Sequence, residues 1–170
     1  MDMLRELLES MNNPLPYKKL KDTPKEIRYG FVFEDTTFFV DFVVDVYNID
    51  QQSQSMAAVM FYEVDENGQI VMGQTNKFKF PMRLFSTVKD IVEKNINVWD
   101  YIAFTTMESG GLVGLYKLMV KKYAVGQYHA NMTDTSIGTL YIIGKHKLSP
   151  EVKALLAPAA EQIIRDKEGR

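Results

Sequence analysis

No cysteine occurs among the 170 residues, so no disulfide can staple the chain, no thiolate can act as a nucleophile and no cysteine zinc site can form. Histidine is nearly as scarce, and two of them exclude a histidine-rich metal centre. No run of about 18 apolar residues is present, so no membrane-spanning helix is expected. Neither sign of charge dominates: 20 Lys and Arg against 22 Asp and Glu leave a formal charge of −2. A protein whose main task is holding nucleic acid needs clustered cations for the phosphates, so nucleic acid is not the expected partner. The opening residues, MDMLRELLESMNN, lack the basic start, long apolar centre and small-residue cleavage site of a secretory leader. The expectation is a cytoplasmic protein.

What is present reads as one α+β domain. The stretch Trp99 to Tyr123 organises the rest: Tyr101 to Thr106 is apolar or small on both faces, as in a central strand, and it runs through Ser109, Gly110 and Gly111 into a helix. In that helix Leu112, Leu115, Met119 and Tyr123 recur at helical spacing, with Lys117, Lys121 and Lys122 on the other side. Phe104 and Leu115 are expected deep in the core. Met3, Leu4, Leu7, Leu8 and Met11 make one face of a short helix, which needs a surface to dock on. Pro14, Pro16 and Pro24 among lysines then make residues 12–26 a connector with no regular element.

From Ile27 the period becomes two. Strands are expected from Ile27, over Thr37 to Tyr47, over Met56 to Val64 and over Gln69 to Phe80, a four-strand antiparallel meander with turns at 34–36 and 65–68. The face carrying Asp41 and Asp45 is expected to be partly wet. Phe85, Val88, Ile91, Val92 and Ile96 mark a helix over Arg83 to Asn95. Gln127 to Met132 and Gly138 to Lys145 follow as strands, with 133–136 as a polar turn. Ser149 caps a last helix that Pro150 opens and Pro158 breaks or kinks. The division is 1–26 for helix and connector, 27–145 for a mixed, mostly antiparallel sheet with helices packed on it, and 148–167 for the last helix.

Two resemblances follow from these residues. The order of elements over residues 27–145, four strands, helix, strand, helix, strand, strand, is similar to the later part of the GNAT-type N-acyltransferase fold, and Leu115-Tyr116 resembles that family's "A-x-x-L-Y" helix. The resemblance implies an acyl-CoA donor, Tyr116 as the acid that protonates the leaving thiolate, Glu63 or Asp45 as base, and Thr105, Met107, Gly110 and Gly111 around the acyl group and cofactor. Where that family has a glycine-spaced phosphate loop, this chain has Phe80-Pro81-Met82-Arg83-Leu84-Phe85, with no glycine to let backbone N–H groups wrap a pyrophosphate. Residues 85–91, 102–106 and 115–124 are also similar to a group of small uncharacterised bacteriophage proteins, which implies a phage origin.

Other clusters carry two readings each. Gly110 to Gly114 at a helix start could hold an anion, or serve as a tight strand-to-helix turn. Gly111-x-x-Gly114 matches the clamp loop of KH domains, yet that loop follows a helix and here a strand precedes it. Asp41, Asp45 and Glu63 could act as bases or hold a cation, or simply solubilise a sheet face. His129 and His146 stand without the ordering of a nucleophile elbow. Lys18, Lys19 and Lys21, with Lys145, His146 and Lys147, could join as a patch for phosphate or an acidic protein surface, or remain solvated.

With no constellation that specifies a reaction, the expected function is binding a protein partner, of host or phage, without catalysis and without a cofactor. The alternatives are an N-acyltransferase using acetyl-CoA and a component of the phage particle or its assembly.

Overall fold

The structure, a computed structural model, describes residues 13–71, 82–106 and 129–168. Its strands are β1 (Lys18–Asp22), β2 (Glu26–Phe33), β3 (Thr36–Ile49), β4 (Gln52–Val64), β5 (Tyr101–Thr106), β6 (His129–Thr135) and β7 (Gly138–Gly144). Two helices are described, α1 (Met82–Asn95) and α2 (Pro150–Glu168). The strands form one sheet in the order β1-β2-β3-β4-β5-β7-β6. Only β4 and β5 run parallel among these neighbours, as fits a connection long enough to hold a helix; the other pairs are antiparallel.

Two tight turns set the register of the long strands. Glu34 and Asp35, with φ of 49° and 64°, join β2 to β3, and Asp50 and Gln51, with φ of 51° and 66°, join β3 to β4. Positive φ at both central residues is the geometry whose twist matches paired strands. The alternation expected in β2 then sends Ile27, Tyr29, Phe31 and Phe33 to one face, where Phe38, Val40, Phe42 and the α1 residues Leu84, Val88, Ile91 and Val92 complete a core. The opposite face packs Met56, Ala58, Met60, Tyr101, Ala103, Leu140 and Ile142 against Leu156, Ala160 and Ile164 of α2. The sheet thus has a helix on each face. Phe104 is buried and stacks on Tyr141. Gly144 has a packing reason: a Cβ there would lie 2.3 Å from the Tyr101 ring.

Two expectations are corrected, the connector and the last hairpin turn. The connector contains a strand, β1, because Lys18 to Asp22 find an open edge on β2. Ile70 makes a single bridge to Val64; the rest of the expected fourth strand lies outside the described residues. The β6–β7 turn is Ser136-Ile137, since Thr133 to Thr135 pair with Leu140 to Gly138. The last helix continues past Pro158, as expected, and runs to Glu168. The expected helix around Leu115, and the expected short helix before Asn12, also lie outside the described residues.

Candidate functional site

β1 is the edge strand on one side of the sheet, and all five of its residues are exposed. It pairs with β2 only as far as Lys18 opposite Gly30, leaving Phe31 to Phe33 with β3 as their only strand neighbour among the described residues. The chain peels away at Pro16, which has no N–H to donate to a ladder; just before it, the Leu15 N–H donates to Thr87 Oγ1 of α1 at 2.8 Å. The notch so formed is a groove of about 530 Å³ whose walls include Pro16, Tyr17, Lys18, Leu20, Val32 and Phe39. Leu20 lies flat over Gly30, where a Cβ would sit 2.5 Å from its Cδ1. Leu20 is 53% exposed and Val32 57%. Of the three lysines of β1, Lys18 lines this apolar floor; Lys21 pairs with Glu26 at 2.8 Å, and Lys19 lies over the Tyr29 ring on the α1 face and pairs with Asp22 at 3.4 Å. An apolar centre with a charge at its rim is the anatomy of a protein-binding patch.

Below the groove, on the face that α2 covers, lies a network of charges. Asp41 is 0% exposed. Arg28, directly opposite it on β2, donates through Nε to Oδ1 at 2.8 Å and through Nη2 to Oδ2 at 3.0 Å. The Tyr62 hydroxyl donates to Asp41 as well, and the Arg28 guanidinium lies 4.6 Å from the centre of the Phe39 ring. From the end of α2, Lys167 reaches Asp41 Oδ2 at 3.4 Å and Glu26 Oε1 at 2.7 Å. The hydrogen bond to Asp41 pushes Arg28 up from its ordinary pKa, and burial, then the bond to Asp41, pushes the Tyr62 phenol up. Burial works against the Glu26 carboxylate, but hydrogen bonds from Lys167 and Lys21 outweigh it and hold the group at about 2. The network anchors the last turn of α2 to β2, β3 and β4.

Compared with protein families, curated proteins and solved structures, the chain matches none.

The candidates of the acyl-transfer reading are not all visible: Tyr116, Met107, Gly110 and Gly111 lie outside the described residues. Glu63 is half-buried at the end of β4, opposite Phe38 and on the α1 face. Thr105, two residues on from Ala103, points to the α2 face. The side chains of Glu63 and Thr105 are thus on opposite faces. Asp41 and Asp45 also lie on the α2 face, so they do not converge with Glu63 on a cation, and no group of three potential ligands gathers among the described residues. Asp41 is buried, against the expectation of a partly wet face, because α2 covers it and Arg28 neutralises it; Asp45 on the same face is exposed, as expected. Glu63 instead lines an acidic recess of about 340 Å³ with Asp35, Asp65 and Glu66. His129 is exposed, and His146 lies 3.9 Å from Asp100 Oδ1. Lys145 and Lys147 follow β7, separated from β1 by four intervening strands, so the two lysine clusters lie roughly 24 Å apart and do not join.

The depressed Glu26 carboxyl gives a pH dependence. Its folded value, about 2, lies below the ordinary 4.5, so its stabilising share is whole above about pH 4.5 and lost as pH falls from there through 2. Against Glu26→Gln, the wild-type chain should lose on the order of 1–2 kcal/mol more over that window, given solvent screening. Urea melts of both proteins at several acid pH values check this; parallel losses would mean that Glu26 is not held by Lys167 and Lys21.

Proposed function

We propose that this chain acts by binding a protein partner, of host or phage, and that the groove at the β1 edge is the contact. What supports the reading is the groove itself: two large apolar side chains, Leu20 and Val32, more than half exposed on an edge of the sheet, with Lys18 beside them. The complementary partner offers an apolar side chain beside a carboxylate, the first for the floor and the second for Lys18. The proposal includes a phage-encoded protein at work in the host cytoplasm, without a cofactor. Leu20→Asp puts a charge on the apolar floor at an exposed site, so the variant should stay folded by circular dichroism and lose partner capture from infected-cell lysate. Undiminished capture would remove the groove from this account.

A second reading, N-acyl transfer from acetyl-CoA on a GNAT-like arrangement, is favoured by one observation. The parallel strands β4 and β5 are matched at only three positions, Met56 to Ala58 against Tyr101 to Ala103, although β4 runs on to Val64 and β5 to Thr106. Backbone groups beyond Ala58 and Ala103 therefore have no ladder partner in each other, and polar groups of a ligand could pair with them. Glu63 as base and Tyr116 as acid belong to this reading. Because the stretch Phe80 to Phe85 carries no glycine, calorimetry at millimolar acetyl-CoA should show no binding. A saturable signal lost in Tyr116→Phe would favour acyl transfer instead.

A further inference from the structure

We infer that two copies of this chain pair edge to edge along β6, joining their sheets about a two-fold axis. Among the described residues β6 ends the sheet on the side away from β1. The two edges differ in how they are guarded. β1 follows Pro16, carries Lys18, Lys19 and Lys21, and has a bulge between Lys19 and Lys21. Lysines, proline and bulges keep an edge from pairing with another chain. β6, HANMTDT, holds no lysine and no proline, and it pairs with β7 at all 7 positions without a shift of register. Its apolar Met132 is 57% exposed.

The backbone of β6 sets the register of such a pair. Thr135 and Gly138 flank a two-residue turn, so they exchange both ladder bonds, as do Thr133 with Leu140 and Asn131 with Ile142. The N–H and C=O groups of Ala130, Met132 and Asp134, at the intervening positions, therefore point away from β7. A separate contact agrees: Lys153 Nζ, reaching from α2, donates to the Met132 carbonyl oxygen at 3.3 Å. That oxygen has two lone pairs, so it can accept from a second donor as well. Antiparallel pairing centred on Met132 matches all of these outward groups, because Met132 meets the partner's Met132, Ala130 the partner's Asp134 and Asp134 the partner's Ala130. It also brings together the two exposed methionines on the α1 side, the side of Tyr141 opposite Met132 in the ladder. On the other side Asn131 stands beside the partner's Thr133, an amide next to a hydroxyl. A register centred on Asp134 would instead set two carboxylates opposite each other, which is unfavourable. Each copy keeps its β1 groove at the far edge, so the inference stands without the partner-binding reading.

The absence of cysteine makes the test direct, because a single introduced thiol can form a disulfide only between copies. A hydrogen-bonded antiparallel pair sets its Cα atoms about 5.5 Å apart, within the roughly 4.4–6.8 Å that a disulfide spans. Full-length Met132→Cys, Asp134→Cys and Leu20→Cys are oxidised mildly at one concentration and read by gel mobility. In this register Asp134 and the partner's Asp134 lie roughly 14 Å apart along the strands. Leu20 is 53% exposed but at the other edge. Disulfide dimers of Met132→Cys are expected to form roughly tenfold faster, or more, than those of Asp134→Cys or Leu20→Cys. Sedimentation of the wild-type chain at rising concentration should show a monomer–dimer equilibrium. Met132→Lys, which puts two cations opposite each other, should raise its dissociation constant roughly tenfold or more. Circular dichroism establishes that this variant is folded; should it not fold, the cross-linking rates decide alone. A wild-type chain that stays monomeric, a dimer as tight in folded Met132→Lys, or equal cross-linking in Met132→Cys and Asp134→Cys would overturn the inference. So would the fastest cross-linking in Leu20→Cys, which makes β1 the interface between copies.

Discussion

Asp41→Ala is expected to destabilise the chain by about 3–5 kcal/mol, as removing one partner of a buried ion pair leaves the other charge without compensation. Arg28 would lose both bonds of its fork, the Tyr62 hydroxyl its acceptor and Lys167 one of its two carboxylates. The loss therefore exceeds that of a surface ion pair, which is worth about 0–1 kcal/mol. Replacing both ends with apolar groups, Asp41→Leu with Arg28→Met, should recover much of the stability, because no buried charge is then left alone. Urea denaturation of the three proteins is the measurement. A single variant as stable as wild type would mean that α2 does not seal Asp41 from water.

Phe104→Ala is the other large effect, at about 3–5 kcal/mol. Phe104 is buried on β5, where it stacks on Tyr141 with ring centres 5.4 Å apart, within the core shared with α1. On one side Phe104 is paired with Tyr141 of β7, so the space left by the ring cannot close from there without breaking ladder bonds. A melting curve unchanged from wild type would show that β5 is not the strand on which this core is built.

How much of this was legible in the sequence depends on the element. Period-two alternation from Ile27 and the helical spacing of Val88, Ile91 and Val92 gave the sheet faces and α1 correctly, since both signals come from burial on one side. The Arg28–Asp41 pair was legible too and was missed. A two-residue turn at Glu34-Asp35 places Phe33 opposite Thr36, and counting back along the hairpin puts Arg28 opposite Asp41. Read as isolated acids on one strand, Asp41 and Asp45 looked solvated; read across the pair, Asp41 has a guanidinium beside it. The turn at Asp50-Gln51 was not legible, because neither residue is glycine or asparagine and positive φ at Gln51 leaves no mark in the sequence. β1 escaped notice because an edge strand with five exposed residues has no buried face to create a pattern. The groove escaped for a related reason. Leu20 and Val32 come from different segments, and only the end of β1 pairing at Lys18 brings them to one open notch.

The central claim is that a protein partner is held at the β1 edge, and paired surface substitutions test it most directly. Wild-type chain, Leu20→Asp and Met132→Asp are used to capture proteins from the same lysate of infected cells, with circular dichroism to establish that all three are folded. Leu20 and Met132 are both more than half exposed and sit at opposite edges of the sheet. The account predicts a partner that is retained by wild type and by Met132→Asp and lost with Leu20→Asp. Retention by all three, or loss with Met132→Asp alone, would contradict it.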